Sequence, residues 1–191
     1  MWRKEIILMT PQQTLFQWAQ QVRAHHIPRY DELPSIDLYM DQVVAVIDDY
    51  LRIYMRDAKD QHITPAMINN YVKLKILPPP VKKRYNRVHL CHLIIICMLK
   101  PVLAIPEIRD LVQTELEQND MRTVYDAFCT MQEESLAKTL EHTQLPQEDL
   151  PPIFASAALR IAVHANTNKM IAEKIIDAQT PEIPAEKEKK K

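Results

Sequence analysis

Apolar side chains recur every three or four residues along most of the chain, the spacing expected of helices with one buried face. Val43, Ile47, Leu51 and Tyr54, for example, fall on one side of a helical wheel. The pattern predicts seven helices, over about residues 11–25, 35–56, 64–77, 89–103, 105–118, 121–140 and 152–176. The apolar run at 94–96 would also fit a buried strand, so the fourth helix has an alternative.

Threonine and proline mark where two of these helices begin. Thr10-Pro11 and Thr64-Pro65 each place an N-cap residue before a proline at the first helical position. The run Pro78-Pro79-Pro80 cannot continue a helix, so the third one should end near Leu77. An irregular, basic link is expected from there to residue 87.

Composition narrows the fold class further. The 191 residues contain no glycine, whereas average usage would give roughly 13. Glycine-dependent phosphate loops, dinucleotide turns and nucleophile elbows are therefore excluded. Hairpin-rich β architecture is disfavoured because its tight turns rely on glycine. We predict an all-α protein, and since no catalytic constellation stands out, one that is not an enzyme.

The charge is distributed unevenly along the chain. Residues 61–106 contain no Asp or Glu but seven Lys and Arg, so the rest of the chain carries −8 to give the net −1. Such a segment creates a local positive field that favours a polyanion, and nucleic acid is the leading partner class. The alternative is that the cations form a solvated face.

The cysteines and the longest apolar run indicate a cytoplasmic protein. Cys91, Cys97 and Cys129 are odd in number and lack metal-site spacing, as expected of free thiols in a reducing compartment. The run at 93–99 is too short to span a membrane, and the one at 6–9 is too short for a signal sequence. His89 and His92 beside Cys91 and Cys97 invite a zinc interpretation, but four ligands on one helix would diverge, so no metal or cofactor is expected.

One face of the third helix has the side chains that read DNA. On a helical wheel Ala66, Asn69, Asn70 and Lys73 are contiguous, opposite the apolar residues. Asparagine can bond adenine bidentately and alanine can contact the thymine methyl, although a solvated face would also permit these residues. The basic link that follows could grip phosphates.

In this region the sequence resembles the MerR-type winged helix-turn-helix family. The resemblance is carried by the stretches 63–79, 84–90 and 105–108, which read ITPAMINNYVKLKILPP, RYNRVHL and IPEI. More narrowly, residues 33–140 resemble a bacterial family of uncharacterised MerR-like proteins. The resemblance implies a reading helix, a wing, dimerisation through C-terminal helices and a DNA-binding transcriptional regulator. The DNA-contacting residues that we predict are Thr64, Ala66, Asn69, Asn70, Tyr71, Lys73, Lys75, Lys82, Lys83, Arg84, Tyr85 and Arg87.

The predicted organisation has four parts. It comprises an N-terminal helix (1–30), a MerR-like winged helix-turn-helix (33–117), a C-terminal helical region (118–178) and a disordered tail (179–191). Double-stranded DNA and a second copy of the chain are the expected partners, and no effector can be identified. MerR-type proteins usually carry an arginine at the place of Asn69 and a glycine in the wing. Their absence keeps open a protein-interaction or adaptor module whose basic surface binds an acidic partner.

Overall fold

The computed structural model describes residues 10–54, 61–142 and 154–179. They form seven α-helices and two single 3₁₀ turns, at Tyr30–Glu32 and Arg52–Tyr54. The helices are α1 (Pro11–Arg23), α2 (Met40–Leu51), α3 (Pro65–Lys73), α4 (Arg87–Leu99), α5 (Ile105–Leu116), α6 (Met121–His142) and α7 (Phe154–Gln179). No β-strand occurs among these residues, only two isolated bridges, so the all-α prediction is confirmed.

The chain divides into two compact units, Met1–Phe154 and Ala155–Lys191. The first unit contains α1 to α6, and the second contains α7 from its second residue onward. The predicted boundary at residue 118 separates α5 from α6, which pack against each other within the first unit. The predicted disordered tail lies outside the described residues, except for Gln179 at the end of α7.

Helix α4 forms the centre of the first unit because its sequence is apolar on every side. It packs against α2, α5 and α6. All residues from His89 to Cys97 are buried. The strand alternative for residues 94–96 is wrong, since they lie inside this helix.

Helix α6 joins this core to the N-terminal part of the chain. Leu140 packs with Ala19 and Val22 of α1. Nearer its other end, the Tyr125 hydroxyl donates a hydrogen bond of 2.7 Å to the Pro28 carbonyl. Burial of that hydroxyl raises the pKa of Tyr125. The segment between α1 and α2 is thereby fixed along α6.

A charged cluster, called here the Arg29–Glu133 cluster, strengthens the same junction. The two guanidinium Nη atoms of Arg29 donate to the two carboxylate oxygens of Glu133 at 2.9 and 2.5 Å. Glu133 also accepts from the Ile27 backbone N–H at 2.7 Å. These donors hold the pKa of Glu133 below its ordinary value, with the Arg29 hydrogen bond as the largest cause. Residues 104 positions apart are thus joined by a bidentate ion pair.

Several helix boundaries differ from those predicted. The N-caps Thr10 and Thr64 are confirmed. Helix α2 begins at Met40 rather than near 35–37, because Leu38 is extended and bridges to Tyr85. Helix α4 begins at Arg87, two residues earlier than expected, because the Asn86 side chain caps it by accepting from the His89 N–H.

Candidate nucleic-acid interface

Helix α3 presents the polar sector that the helical wheel predicts. Ile68 and Tyr71 are buried, at 0% and 4% exposure. Ala66, Asn69, Asn70 and Lys73 are exposed. Thr64 caps the helix, because its hydroxyl oxygen accepts a hydrogen bond of 3.3 Å from the Met67 N–H. Two amides and one lysine therefore face solvent on a helix whose other side is anchored in the core.

The end of α3 is set by Lys75 and not by the proline run. Lys75 has φ of 57°, in the left-handed region that glycine usually occupies. The Ile76 N–H bonds to the Tyr71 carbonyl at 3.0 Å and the Lys75 N–H to the Val72 carbonyl at 3.1 Å. These two bonds form a Schellman motif, which ends the helix at Lys73, four residues before the predicted Leu77. Lys75 adopts this strained conformation because the chain must turn there to bury Ile76 and Leu77 in the core.

The basic link contains a two-residue hairpin, called here the lysine hairpin (residues 81–84). Val81 and Arg84 exchange backbone hydrogen bonds of 3.2 and 2.9 Å. Lys82 and Lys83 at the tip have φ of 51° and 63°. Positive φ at both central residues defines a type I′ turn, where Asn-Gly is the usual pair. The left-handed conformation costs about 1–2 kcal/mol for a non-glycine residue, so the tip holds its two exposed lysines at an energetic cost.

A second pairing docks this hairpin on the core. Tyr85 and Leu38 exchange backbone hydrogen bonds of 2.8 and 2.9 Å. The Tyr85 ring, only 3% exposed, meets the His89 ring edge to face at 5.3 Å between centroids. Tyr85 therefore supports the hairpin from inside. Burial raises its pKa and lowers that of His89.

Arg84 is held by an aromatic residue that sequence reasoning missed. Its Nη2 donates to the Tyr39 hydroxyl at 2.9 Å, and its guanidinium carbon lies 4.7 Å from the centre of the Tyr39 ring. Tyr39 remains 53% exposed. The two residues are 45 positions apart and meet because Leu38 and Tyr85, their neighbours in sequence, pair. No local signal in the sequence connects them.

The remaining cations of the basic segment fall into two groups, those bonded within the protein and those without a described carboxylate partner. Arg87 donates through Nε to the Leu33 carbonyl at 3.0 Å and lies 3.7 Å from the Asp31 carboxylate. The Lys100 ammonium bonds to the His62 carbonyl. Within the described part of the chain, no carboxylate pairs with Lys73, Lys75, Lys82 or Lys83, all of them exposed. The unneutralised positive charge thus lies on the end of α3 and on the lysine hairpin.

The histidines of α4 have hydrogen-bond partners within the protein through Nδ1, and its two cysteines are buried. His89 Nδ1 lies 2.7 Å from the Asn86 side-chain oxygen, and His92 Nδ1 lies 2.8 Å from the Val88 carbonyl. Burial raises the pKa of the Cys97 thiol to about 12, so it is protonated near neutral pH. Across residues 10–54, 61–142 and 154–179 no three His, Cys, Asp or Glu side chains converge as a metal site would require.

In the described residues no helix combines the length and the apolarity that crossing a bilayer requires.

The described geometry defines a helical protein with a cation-bearing helix end and hairpin. The sequence matches the family described as a domain of unknown function (DUF1836) over residues 28–128, which is 101 of its 191 residues. The chain therefore belongs to the DUF1836 family. Comparisons with curated proteins and with solved structures give no match.

Proposed function

We propose that this protein is a sequence-specific, double-stranded-DNA-binding transcriptional regulator of the MerR-like winged helix-turn-helix type. The observation that supports this most is the joint exposure of the α3 sector and the lysine hairpin. Asn69, Asn70 and Lys73 can address base edges, while Lys82 and Lys83 project from a tight turn toward the partner. In this proposal α3 is the reading helix and residues 81–84 are the wing.

The backbone of the hairpin favours an external partner over a merely solvated lysine face. Lysines on a solvated face need no unusual backbone, whereas Lys82 and Lys83 both occupy the left-handed region. Such conformations persist where the surrounding structure fixes them, and they cluster at functional sites. Both lysines are exposed, as contact with a phosphate backbone requires. Arg84, held against Tyr39, would add a third cation beside it.

Binding should also require two copies of the chain, since one nine-residue reading helix covers a short site. The resemblance implies self-association through C-terminal helices. In α6, Leu140 packs against α1, whereas Met131 is 63% exposed. Helix α7 adds an exposed apolar stripe: Leu159, Val163, Met170, Ile171 and Ile175. We therefore propose a homodimer that uses the C-terminal helices. Light scattering at micromolar concentration tests it, and a mass of 22.3 kDa would refute it.

A second candidate function is an adaptor that binds an acidic protein. Exposed apolar side chains accompany the hairpin region and favour it: Ile36 is 69% exposed, Val81 65% and Tyr39 53%. A protein partner would cover these side chains and pair its acids with the lysines. In this case the lysine hairpin would bind carboxylates instead of phosphates.

Selection from random double-stranded oligonucleotides separates the two functions. An enriched motif, bound with an affinity that falls steeply with salt, would support the regulator. The absence of enrichment, together with no salt-dependent affinity for any duplex, would refute DNA binding. An acidic protein captured through Lys82 and Lys83 would then support the adaptor.

A further inference from the structure

An apolar groove of about 670 Å³ lies among the end of α3, the proline run, α4, α5 and the start of α6. Its volume is within the range of small-molecule sites, about 300–1,000 Å³. Aliphatic side chains line most of it, including Val72, Ile96, Ile108 and Val112. All of its lining residues belong to the first unit, so the groove is complete without α7.

One nearly buried polar side chain lies in the wall of this groove. His92 is 9% exposed, and its Nδ1 lies 2.8 Å from the Val88 carbonyl oxygen. Because a carbonyl can only accept, Nδ1 carries the proton and Nε2 is left as an acceptor. Burial lowers the pKa of His92 and so favours this neutral ring. His92 is therefore a neutral residue of the wall, and the charge of the groove comes from other side chains.

The charged groups of the groove have a single sign. Lys75 and Arg109 line it, and no described carboxylate does. Arg109 bonds to Asp110 through Nε at 2.7 Å, which leaves its two Nη groups to other acceptors. Lys75 has no carboxylate partner among the described residues. Two cations beside aliphatic walls complement a molecule that carries an anionic group on an apolar body.

We propose that this groove binds an apolar organic acid, with its body against α4 and α5 and its carboxylate held by Lys75 and Arg109. Lys75 is the residue that ends the reading helix, and Pro78 and Pro79, which also line the groove, lead to the lysine hairpin. A bound acid would tie the last turn of α3 to α5. Its effect on DNA binding rests on the proposed function, whereas its binding does not.

Titration calorimetry with decanoate and 1-decanol tests the binding without DNA. We expect one decanoate per chain with a dissociation constant of roughly 0.1 mM, and affinity for the uncharged decanol about tenfold weaker. The double variant Lys75→Gly/Arg109→Gln should weaken decanoate binding by at least about tenfold. Glycine suits the positive φ at position 75, so this variant should fold, which circular dichroism checks.

Helix α7 provides the matched control. Lys174 lines an apolar depression with Met170 and Ile171 and lies 3.1 Å from Asp177, so it resembles Arg109 in both respects. Lys174→Gln should leave decanoate binding unchanged. No saturable decanoate binding, equal affinity for decanol, or full affinity in the Lys75→Gly/Arg109→Gln variant would each overturn the proposal. Decanoate binding to a protein that binds no duplex would retain the groove and refute only the DNA-binding function.

Discussion

Two regions of the first unit, the Arg29–Glu133 cluster and the lysine hairpin, use their cations in opposite ways. In the Arg29–Glu133 cluster each charge faces a partner, and both side chains are only about one quarter exposed. In the lysine hairpin Lys82 and Lys83 are exposed, without a carboxylate partner among the described residues, on a left-handed backbone. The first arrangement joins distant segments of the chain. In the second arrangement the left-handed backbone costs conformational energy, and the lysines make no such internal contact. We therefore expect these lysines to bind a partner outside the chain.

The two regions also differ in what supports them. Arg29 and Glu133 contact each other directly, and the Ile27 N–H completes the cluster. The hairpin is supported indirectly, because Tyr85 pairs with Leu38 and packs on His89 beneath it. Changing a charge should therefore affect stability in the first region and binding in the second.

The largest expected effect is on stability, from Glu133→Ala. This change removes both oxygens that Arg29 and the Ile27 N–H use, and leaves partly buried donors unpaired. We expect the free energy of unfolding to fall by about 2–4 kcal/mol, measured by urea denaturation. Glu141→Ala breaks the exposed pair with Arg23 and should cost less than about 1 kcal/mol. Equal costs for the two variants would contradict the comparison.

The next effect is on binding, from Lys82→Ala/Lys83→Ala. Two lost phosphate contacts should weaken binding to every duplex and reduce the salt slope by about two units. Stability should change little, because neither lysine pairs with a described carboxylate. Lys138→Ala, which removes an exposed lysine of α6 bonded to Glu134, is the control and should retain the wild-type slope. An unaltered affinity and slope in the hairpin variant would refute phosphate binding by the hairpin.

A narrower effect is expected at α3, the proposed reading helix. Asn69→Ala should cost about 1–3 kcal/mol at the selected DNA site and relax its base preference. Non-specific duplex binding should stay within experimental error, because the amide carries no charge. Competition binding with the selected and a scrambled duplex measures both quantities. A uniform loss on both duplexes would assign Asn69 to the backbone instead of the bases.

Acid should destabilise the two regions over different pH ranges. Burial lowers the pKa of His89 below its ordinary 6.5, so the unfolded chain binds that proton more readily. Stability from this group is therefore full above pH 6.5 and is lost as pH falls through the lower folded pKa. Glu133 has its pKa lowered from 4.5, chiefly by Arg29, so its contribution is full above pH 4.5 and is lost in stronger acid. Urea unfolding across this range should show that Glu133→Gln flattens only the more acidic decline.

The smallest effect separates backbone from charge in the hairpin. Glycine adopts positive φ without strain, so Lys82→Gly/Lys83→Gly should raise the free energy of unfolding by about 0.5–1 kcal/mol. Its duplex affinity should match that of the double alanine variant, since both lack the same charges. Thermal unfolding and salt titration of the two variants side by side provide the measurement. A glycine variant less stable than the alanine variant would show that the tip is unstrained.

Local sequence was sufficient for what depends on neighbouring residues. The Thr-Pro pairs fixed the beginnings of α1 and α3, because N-cap chemistry needs only a few consecutive residues. The absence of glycine and the helical periodicity gave the all-α class. The wheel of α3 also identified its exposed amides, since a helix with one anchored face exposes the opposite one.

Only the tertiary structure decided the features that join distant residues or strain the backbone. The Arg29–Glu133 and Arg84–Tyr39 pairs cross 104 and 45 positions, which no local pattern encodes. Lys75, Lys82 and Lys83 occupy the left-handed region although no propensity rule places lysine there. Packing of Ile76, Leu77 and Tyr85 in the core fixes the chain on either side of these lysines. The chain must therefore turn at the lysines themselves. Because the sequence contains no glycine, lysine takes the left-handed conformation at these turns.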